Sequence, residues 1–228
     1  MSRVASRLRR VLGREHRYEW PVVLRESAVT VRGLARGPQT VVLRALEKGD
    51  ERAWLRLRVD EDARLASWEA TVPAGSAEQP PSFRHYVRRA GNRARAGQTM
   101  PFVLEVDGEL AGQVTVAPIQ WGSVRQAAVG YWIGSAWEGR GVMTLALAMV
   151  IDHLLGPRVG LHRVEVLVRP DNTRSLVVCR RLGLKQEGLR RGCMHINGQW
   201  WDHVVHARTY EDMETGGALV AGLAAQAR

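Results

Sequence analysis

The stretch Gly130 to Leu155, GYWIGSAWEGRGVMTLALAMVIDHLL, constrains this chain more than any other. An aromatic and apolar run, Val129 to Ile133, reads as a strand. Glycines at 134, 139 and 141 then turn the chain into an apolar segment of helical length. A strand, a glycine-rich turn and a helix leave backbone N–H groups free at the helix start, and the helix dipole adds to their attraction for an anion. The spacing matches neither the P-loop nor the GxGxxG pattern of dinucleotide folds. Gly139-Arg140-Gly141 makes a tight, cationic loop that suits a pyrophosphate. The plain alternative is a helix that merely follows a glycine turn.

Around this stretch the pattern is an alternation of strands and helices. Val41 to Leu46 is a strand, and Gly49-Asp50 starts a helix that runs to Val59 or beyond. The segment 65–71 precedes a loop, PAGSAEQPPS. Ser82 then caps a helix over 83–96 that carries five arginines and no carboxylate. Phe102 to Val106 and Leu110 to Ala117 form a hairpin on Asp107-Gly108, and Ala127 to Ile133 follows as a third antiparallel strand. After the apolar helix, His162 to Arg169 alternates as a strand. Pro170-Asp171-Asn172 stops it and caps a helix over 173–182 that ends at Gly183. Two last strands, 184–196 and 199–210, turn on Asn197-Gly198. The strand–crossover–strand step in the second half implies locally parallel strands in an otherwise antiparallel sheet.

Composition narrows the classes. The longest apolar run stops at Asp152-His153, short of the ~18 residues of a bilayer span, so no membrane helix is expected. The start, MSRVASRLRRVLGR, lacks the apolar core of a signal peptide, and the expected location is cytoplasmic. Cys179 and Cys193 share no metal spacing, and His203 and His206, three apart on a strand, point to opposite faces, which disfavours zinc. The net charge is +10, and residues 1–36 hold nine arginines against three glutamates. Such an arm suits contact with a ribosome or RNA, or is a solvated tail.

The element order, with a glycine loop after the fourth core strand, resembles the GNAT superfamily of acetyl-coenzyme A-dependent N-acetyltransferases. The loop Glu138-Gly139-Arg140-Gly141-Val142-Met143 is similar to the family's pyrophosphate motif, with Glu138 in place of Gln or Arg and Met143 in place of a small residue. Pro170-Asp171-Asn172-Thr173-Arg174-Ser175, Leu182 to Gly188 and Asn197 to His203 resemble signatures of the RimJ/RimL-type ribosomal-protein branch, and the likeness covers 41–212.

The resemblance implies an α/β GNAT fold: a mixed, mostly antiparallel sheet of six to seven strands, helices on both faces, and splayed central strands. It divides the chain into a basic extension (1–39), an acetyltransferase domain (40–212) and a tail (213–228). Acetyl-CoA is the implied co-substrate, with no metal. Its contacts would be Trp132, Ile133, Glu138, Gly139, Arg140, Gly141, Val142, Met143, Asn172 and Arg174, with Asn172 equally a helix cap. Ser175 would protonate the departing thiolate. The acceptor would be the N-terminal α-amine of an alanine- or serine-initiated protein, such as a ribosomal protein. Glu69 or Glu165 would be the base, with Glu138 a further carboxylate, because the sixth-strand glutamate of RimL-like members corresponds to Met194. A small amine such as an antibiotic or polyamine is the second acceptor class. A non-catalytic acyl-coenzyme A sensor or ribosome-binding factor is the third reading.

Overall fold

The computed structural model describes residues 18–27, 40–73 and 81–226. Most of the basic arm, 1–17 and 28–39, and most of the central loop lie outside them. Eight strands, β1 (Leu24–Ser27), β2 (Thr40–Ala45), β3 (Met100–Val106), β4 (Glu109–Gln120), β5 (Gln126–Ile133), β6 (Arg163–Val168), β7 (Lys185–Ile196) and β8 (Gln199–Thr209), form one sheet. Its order is β1-β2-β3-β4-β5-β6-β8-β7, and every neighbouring pair is antiparallel except β5 with β6. The sheet has eight strands where six to seven were expected. The addition is β1, from the stretch assigned to the extension, which pairs Leu24 with Leu43 and Ser27 with Thr40. Tyr18 is buried beside it, with its hydroxyl 2.5 Å from the Thr99 carbonyl and 3.0 Å from that of Ala94. Residues 18–27 are therefore part of the folded body.

Two hairpins turn where the sequence demands left-handed backbone. Asp107 and Gly108 have φ of 51° and 86°, and Asn197 and Gly198 have 46° and 82°. These are the residue types that adopt positive φ most cheaply, and they set the register of both hairpins.

Among the described residues six α-helices pack with the sheet: α1 (Glu51–Leu65), α2 (Phe83–Arg95), α3 (Val142–Leu155), α4 (Thr173–Arg181), α5 (Tyr210–Gly216) and α6 (Leu219–Gln226). Alternation along the strands decides which face each one meets. Val41, Leu43, Phe102, Leu104, Val114, Val129, Val164 and Val166 face α3 in the main core. On the other face Trp54 of α1 lies against Phe83 and Tyr86 of α2, at 5.5 and 5.7 Å between ring centroids. Among the described residues no helix is long and apolar enough to cross a membrane.

In α3, every residue from Val142 to Ile151 is buried, as are Leu154 and Leu155. A helix apolar on all sides needs cover on all sides. The sheet covers one side; the C-terminal α6 covers another, with Leu219 buried in the main core. Asp152 latches it by accepting from the N–H groups of Leu219 (2.8 Å) and Val220 (2.9 Å). The carboxylate of one helix thus caps the start of another. Asp152→Ala should cost about 1–2 kcal/mol of stability in urea unfolding, the usual loss for an N-cap. Asp152→Asn, which keeps an acceptor, should cost less than half of that. Equal losses in the two variants would show that the latch contributes through packing and not through these bonds.

Candidate functional site

The parallel pairing of β5 with β6 covers only Gln126, Ala127 and Ala128 against Arg163, Val164 and Glu165. Beyond that point β5 continues to pair with β4 as far as Ile133, and β6 with β8 as far as Val168. The two strands diverge, and their facing edges lose each other as hydrogen-bonding partners. A cavity of about 1160 Å³ opens between them, walled by Val129 to Ile133 on one side and Val166 to Arg169 on the other. This is the splay expected of the central strands.

At one end of the cavity lie Glu138, Gly139, Gly141 and the first turn of α3. Gly139 and Gly141 have φ of 70° and 72°, a backbone state that a side chain would strain. No side chain caps α3, whose N-cap is Gly141 itself. Its first N–H groups are therefore free, beside the positive end of a helix buried from Val142 to Ile151. Arg64 ties this loop to α1: its guanidinium donates to Glu138 (2.5 Å), to Glu61 (2.6 Å) and to the Ile133 carbonyl.

Midway, the Tyr131 hydroxyl lies 2.5 Å from Ser175 Oγ. Asn172 caps α4 by accepting from the Ser175 N–H at 3.1 Å, so the cap also fixes the serine. Burial pushes the Tyr131 phenol well above its ordinary pKa, with Cys179 adding to the effect and the bond to Ser175 opposing it. The phenol stays protonated and can donate.

The other end is built from the segment after α1 and from the β7–β8 hairpin. Thr71 N–H donates to the His195 carbonyl (2.8 Å), Asn197 N–H to Thr71 Oγ1 (2.9 Å) and Asn197 Nδ2 to the Ala66 carbonyl (2.7 Å). These bonds present Trp68 and Glu69 to the cavity. Both oxygens of Glu69 accept from Arg58, whose guanidinium lies 5.1 Å from the Trp132 ring centre. Arg169 sits between the rings of Trp68 and Trp201, at 4.8 and 3.7 Å, and holds Asp171. Met194 and His203 complete the wall. Among the described residues no group of His, Cys, Asp and Glu gathers as a metal site would require.

The acetyltransferase (GNAT) domain family matches residues 40–185 of this sequence. The chain belongs to that family. RimJ of Mycobacterium smegmatis, solved in complex with CoA-disulfide, superposes with a TM-score of 0.80 at 33% identity, over 93% of this chain and 98% of that one. A Bacillus subtilis protein named probable N-acetyltransferase YjcK is 37% identical over 108 residues, 47% of this chain and 59% of the relative. The Escherichia coli ribosomal protein uS5-alanine N-acetyltransferase is 34% identical over 108 residues, 47% of this chain and 55% of the relative. The aligned part thus spans a little over half the length of these two curated relatives.

On this GNAT scaffold the residues singled out in the sequence separate. Trp132, Ile133, Glu138, Gly139, Gly141, Val142, Met143, Asn172, Arg174, Ser175 and Glu69 all line the cavity. Arg140 does not; its guanidinium packs 5.3 Å from the Trp137 ring centre, on the loop's exposed side. Glu165 does not either. It is buried in an ion cluster with Arg163 and Arg190, both at 2.9 Å.

Tyr131, His203 and Glu61 were not singled out for the site. Tyr131 sits in a strand run that any core tyrosine would fit. Glu61 is buried and accepts from Ser135 N–H and Oγ, both at 2.7 Å, besides Arg64. Its partner Ser135 lies 74 positions away in sequence, so no local motif announces it.

Burial works against charge on Glu61, yet the hydrogen bonds from Ser135 and Arg64 outweigh it and hold its pKa below the ordinary carboxylate value. Such a group contributes stability that is fully present above about pH 4.3, the unfolded value, and lost as pH falls through the lower folded value. Glu61→Gln should therefore lower stability by about 2 kcal/mol at pH 7, the scale of a hydrogen bond to a charged group. The deficit should shrink as the pH drops below about 4.3. Urea midpoints at several pH values check this, and a pH-independent deficit would mean that the charge contributes nothing.

Proposed function

We propose that the protein transfers the acetyl group of acetyl-CoA to a primary amine, the α-amine of an alanine- or serine-initiated protein such as a ribosomal protein. The observation that carries this reading is the single cavity between the diverging β5 and β6. It joins an uncapped helix start at one end to an aromatic groove holding a carboxylate at the other. The two relatives whose names specify ribosomal-protein chemistry or CoA binding support the same acceptor and donor classes. A cytoplasmic location follows from that acceptor.

The residues present fit the coenzyme. The free N–H groups at Gly141 to Met143 would hold the pyrophosphate, and Gly139 and Gly141 let the backbone approach it. Arg174 and Arg181, both on the cavity wall and exposed, would meet the remaining phosphate charge. The unpaired edges of Val129 to Ile133 and Val166 to Val168 would take the amide-bearing arm as a strand takes a neighbour. Acetyl-CoA supplies an activated thioester. The chain orients it, keeps water out with Trp132, Trp137 and Met143, and manages two protons. Ser175, in contact with Tyr131, would deliver one to the departing sulfur. Glu69, fixed by Arg58, would orient the acceptor's ammonium.

The polyamine alternative wants acidic groups without partners. Every carboxylate on the cavity wall is matched by arginine: Glu69 by Arg58, Glu138 by Arg64 and Arg174, Asp171 by Arg169. A singly charged α-amine suits that wall better.

Acetyl-CoA at ~100 Kd should stabilise the protein by about 2.7 kcal/mol, read as a rise in Tm. Gly141→Glu, which adds a side chain at positive φ and a negative charge at the helix start, should abolish the rise; an undiminished rise would place the phosphates elsewhere. Ser175→Ala should lower kcat by up to about 10²-fold with the coenzyme KM unchanged. If the two hydroxyls act as one relay, adding Tyr131→Phe to Ser175→Ala should cost little more. Additive losses would separate their roles.

A further inference from the structure

We infer that His203 is the general base that takes the proton from the acceptor's ammonium, a role that rests on the acetyl transfer proposed above. His203 lies on β8 and lines the cavity, although the residue as a whole is only 3% exposed. The register pairs Arg190 with His203 and Met194 with Trp201, and alternation puts Trp201 and His203 on the same sheet face. That face is the one turned toward Trp68 and Glu69. Met194, beside it, offers no proton acceptor.

The ring has one defined tautomer. Nδ1 lies 3.1 Å from the Trp201 carbonyl oxygen, which can only accept, so Nδ1 carries the hydrogen. Nε2 is then a lone-pair acceptor, and among the described residues it has no hydrogen-bond partner. Every carboxylate on the same wall is in the opposite condition. Both oxygens of Glu69 are taken by Arg58, both of Asp171 by Arg169, and both of Glu138 by Arg64 and Arg174. Glu165 is off the cavity and paired on both oxygens. The only uncommitted proton acceptor among these titratable side chains is the imidazole.

The charged groups around the ring are Arg169 and Asp171 at the end of β6, Asp202 on its own strand, and Arg190 opposite on β7. Burial pushes the imidazole's pKa down. The Trp201 bond works against this, Arg169 reinforces it, and Asp171 and Asp202 oppose it, with a net lowering. His203 is therefore neutral at pH 7 and able to receive a proton.

The step balances as follows. The acceptor ammonium gives one proton to Nε2, and the free amine's lone pair forms a C–N bond to the thioester carbonyl carbon. The C–S bond then breaks, the amine's second proton passes to the sulfur through Ser175, and the imidazolium returns its proton to solvent. The products are the N-acetylated chain, coenzyme A thiol and one proton.

The test is the pH dependence of kcat for full-length protein acting on an alanine- or serine-initiated peptide, for wild type and His203→Gln. In wild type the acidic limb should lie below pH 6.5, because a base on the enzyme allows the bound ammonium to react. In His203→Gln the limb should move up to the amine's own pKa, about 7.7–8.0, with a loss of about 10²-fold at pH 7 that shrinks to roughly 10-fold at pH 9. Acetyl-CoA should raise the Tm of both proteins equally, which a collapsed site would not permit. A second readout needs no variant: the His203 ring pKa followed by 13C NMR in wild type with coenzyme A bound should coincide with the kinetic limb. A variant that keeps the wild-type limb, or a ring pKa more than about one unit from it, overturns the role of His203 alone. Wild-type protein that binds acetyl-CoA yet acetylates no amine overturns the proposed function and this role with it.

Discussion

Everything at the site depends on how briefly β5 and β6 pair. Three residues on each strand are joined, and then the strands separate while each keeps its other neighbour. Losing a ladder is costly when the backbone is left buried without partners. The divergence is tolerable because the gap is an open cavity in which solvent can reach the unpaired edges. What holds the gap open is equally specific. Below it the start of α3 is fixed by a helix buried on all sides. Above it Gly112 of β4 admits the Trp132 carbonyl so closely that an added Cβ would stand 2.3 Å from that oxygen.

Arginine is the second organising element. Arg64 joins α1 to the end of β5 and to the loop before α3, and Arg58 joins the same helix to Glu69 in the following segment. Arg169 joins β6 to Ser67 by donating to its carbonyl at 2.8 Å. Each guanidinium satisfies partners from two or three elements, which a lysine's single ammonium would do less well. These pairs are half-buried, where the cost of desolvating both charges offsets much of their attraction. Their value here is geometric: they fix the loop, the carboxylate and the aromatic rings in one frame. They also leave Glu69, Glu138 and Asp171 with both oxygens paired.

The sequence exposed the fold well because its signals are local. Asp107-Gly108 and Asn197-Gly198 announce their hairpins, Asn172 announces α4, and the apolar run from Val142 announces a buried helix. The glycine loop was legible for the same reason, since positive φ is written directly into residue type. β1 was harder, for a four-residue strand at a sheet edge has little alternation to display, and Tyr18 gains its partners from residues more than seventy positions away. Glu165 was a candidate base because it stands on the fifth core strand of the expected fold. Its commitment to Arg163 and Arg190 is a matter of register, which no single strand reveals. Tyr131 meets Ser175 across the gap itself, so their contact is set by the divergence of two strands and not by either sequence.

The end of the cavity beside Trp68 and Glu69 shows how far such a site can depend on register. Its two walls, the segment after α1 and the tip of the β7–β8 hairpin, are more than 120 positions apart and are held by Thr71, His195, Asn197 and Ala66. Side chains on a strand alternate faces, so a one-residue slip in that hairpin would turn Trp201 and His203 away from the cavity. Two features resist the slip. Asn197 and Gly198 fix the turn, and the extra residues between Arg190 and Met194 form a bulge in which Gly192, at φ 50°, donates its N–H to Asp202 at 2.7 Å. The bulge shifts the register of β7 against β8 between Arg190 and Met194 and increases the local twist. Asp202, next in sequence to His203 and therefore on the opposite face, anchors the strand through Gly192.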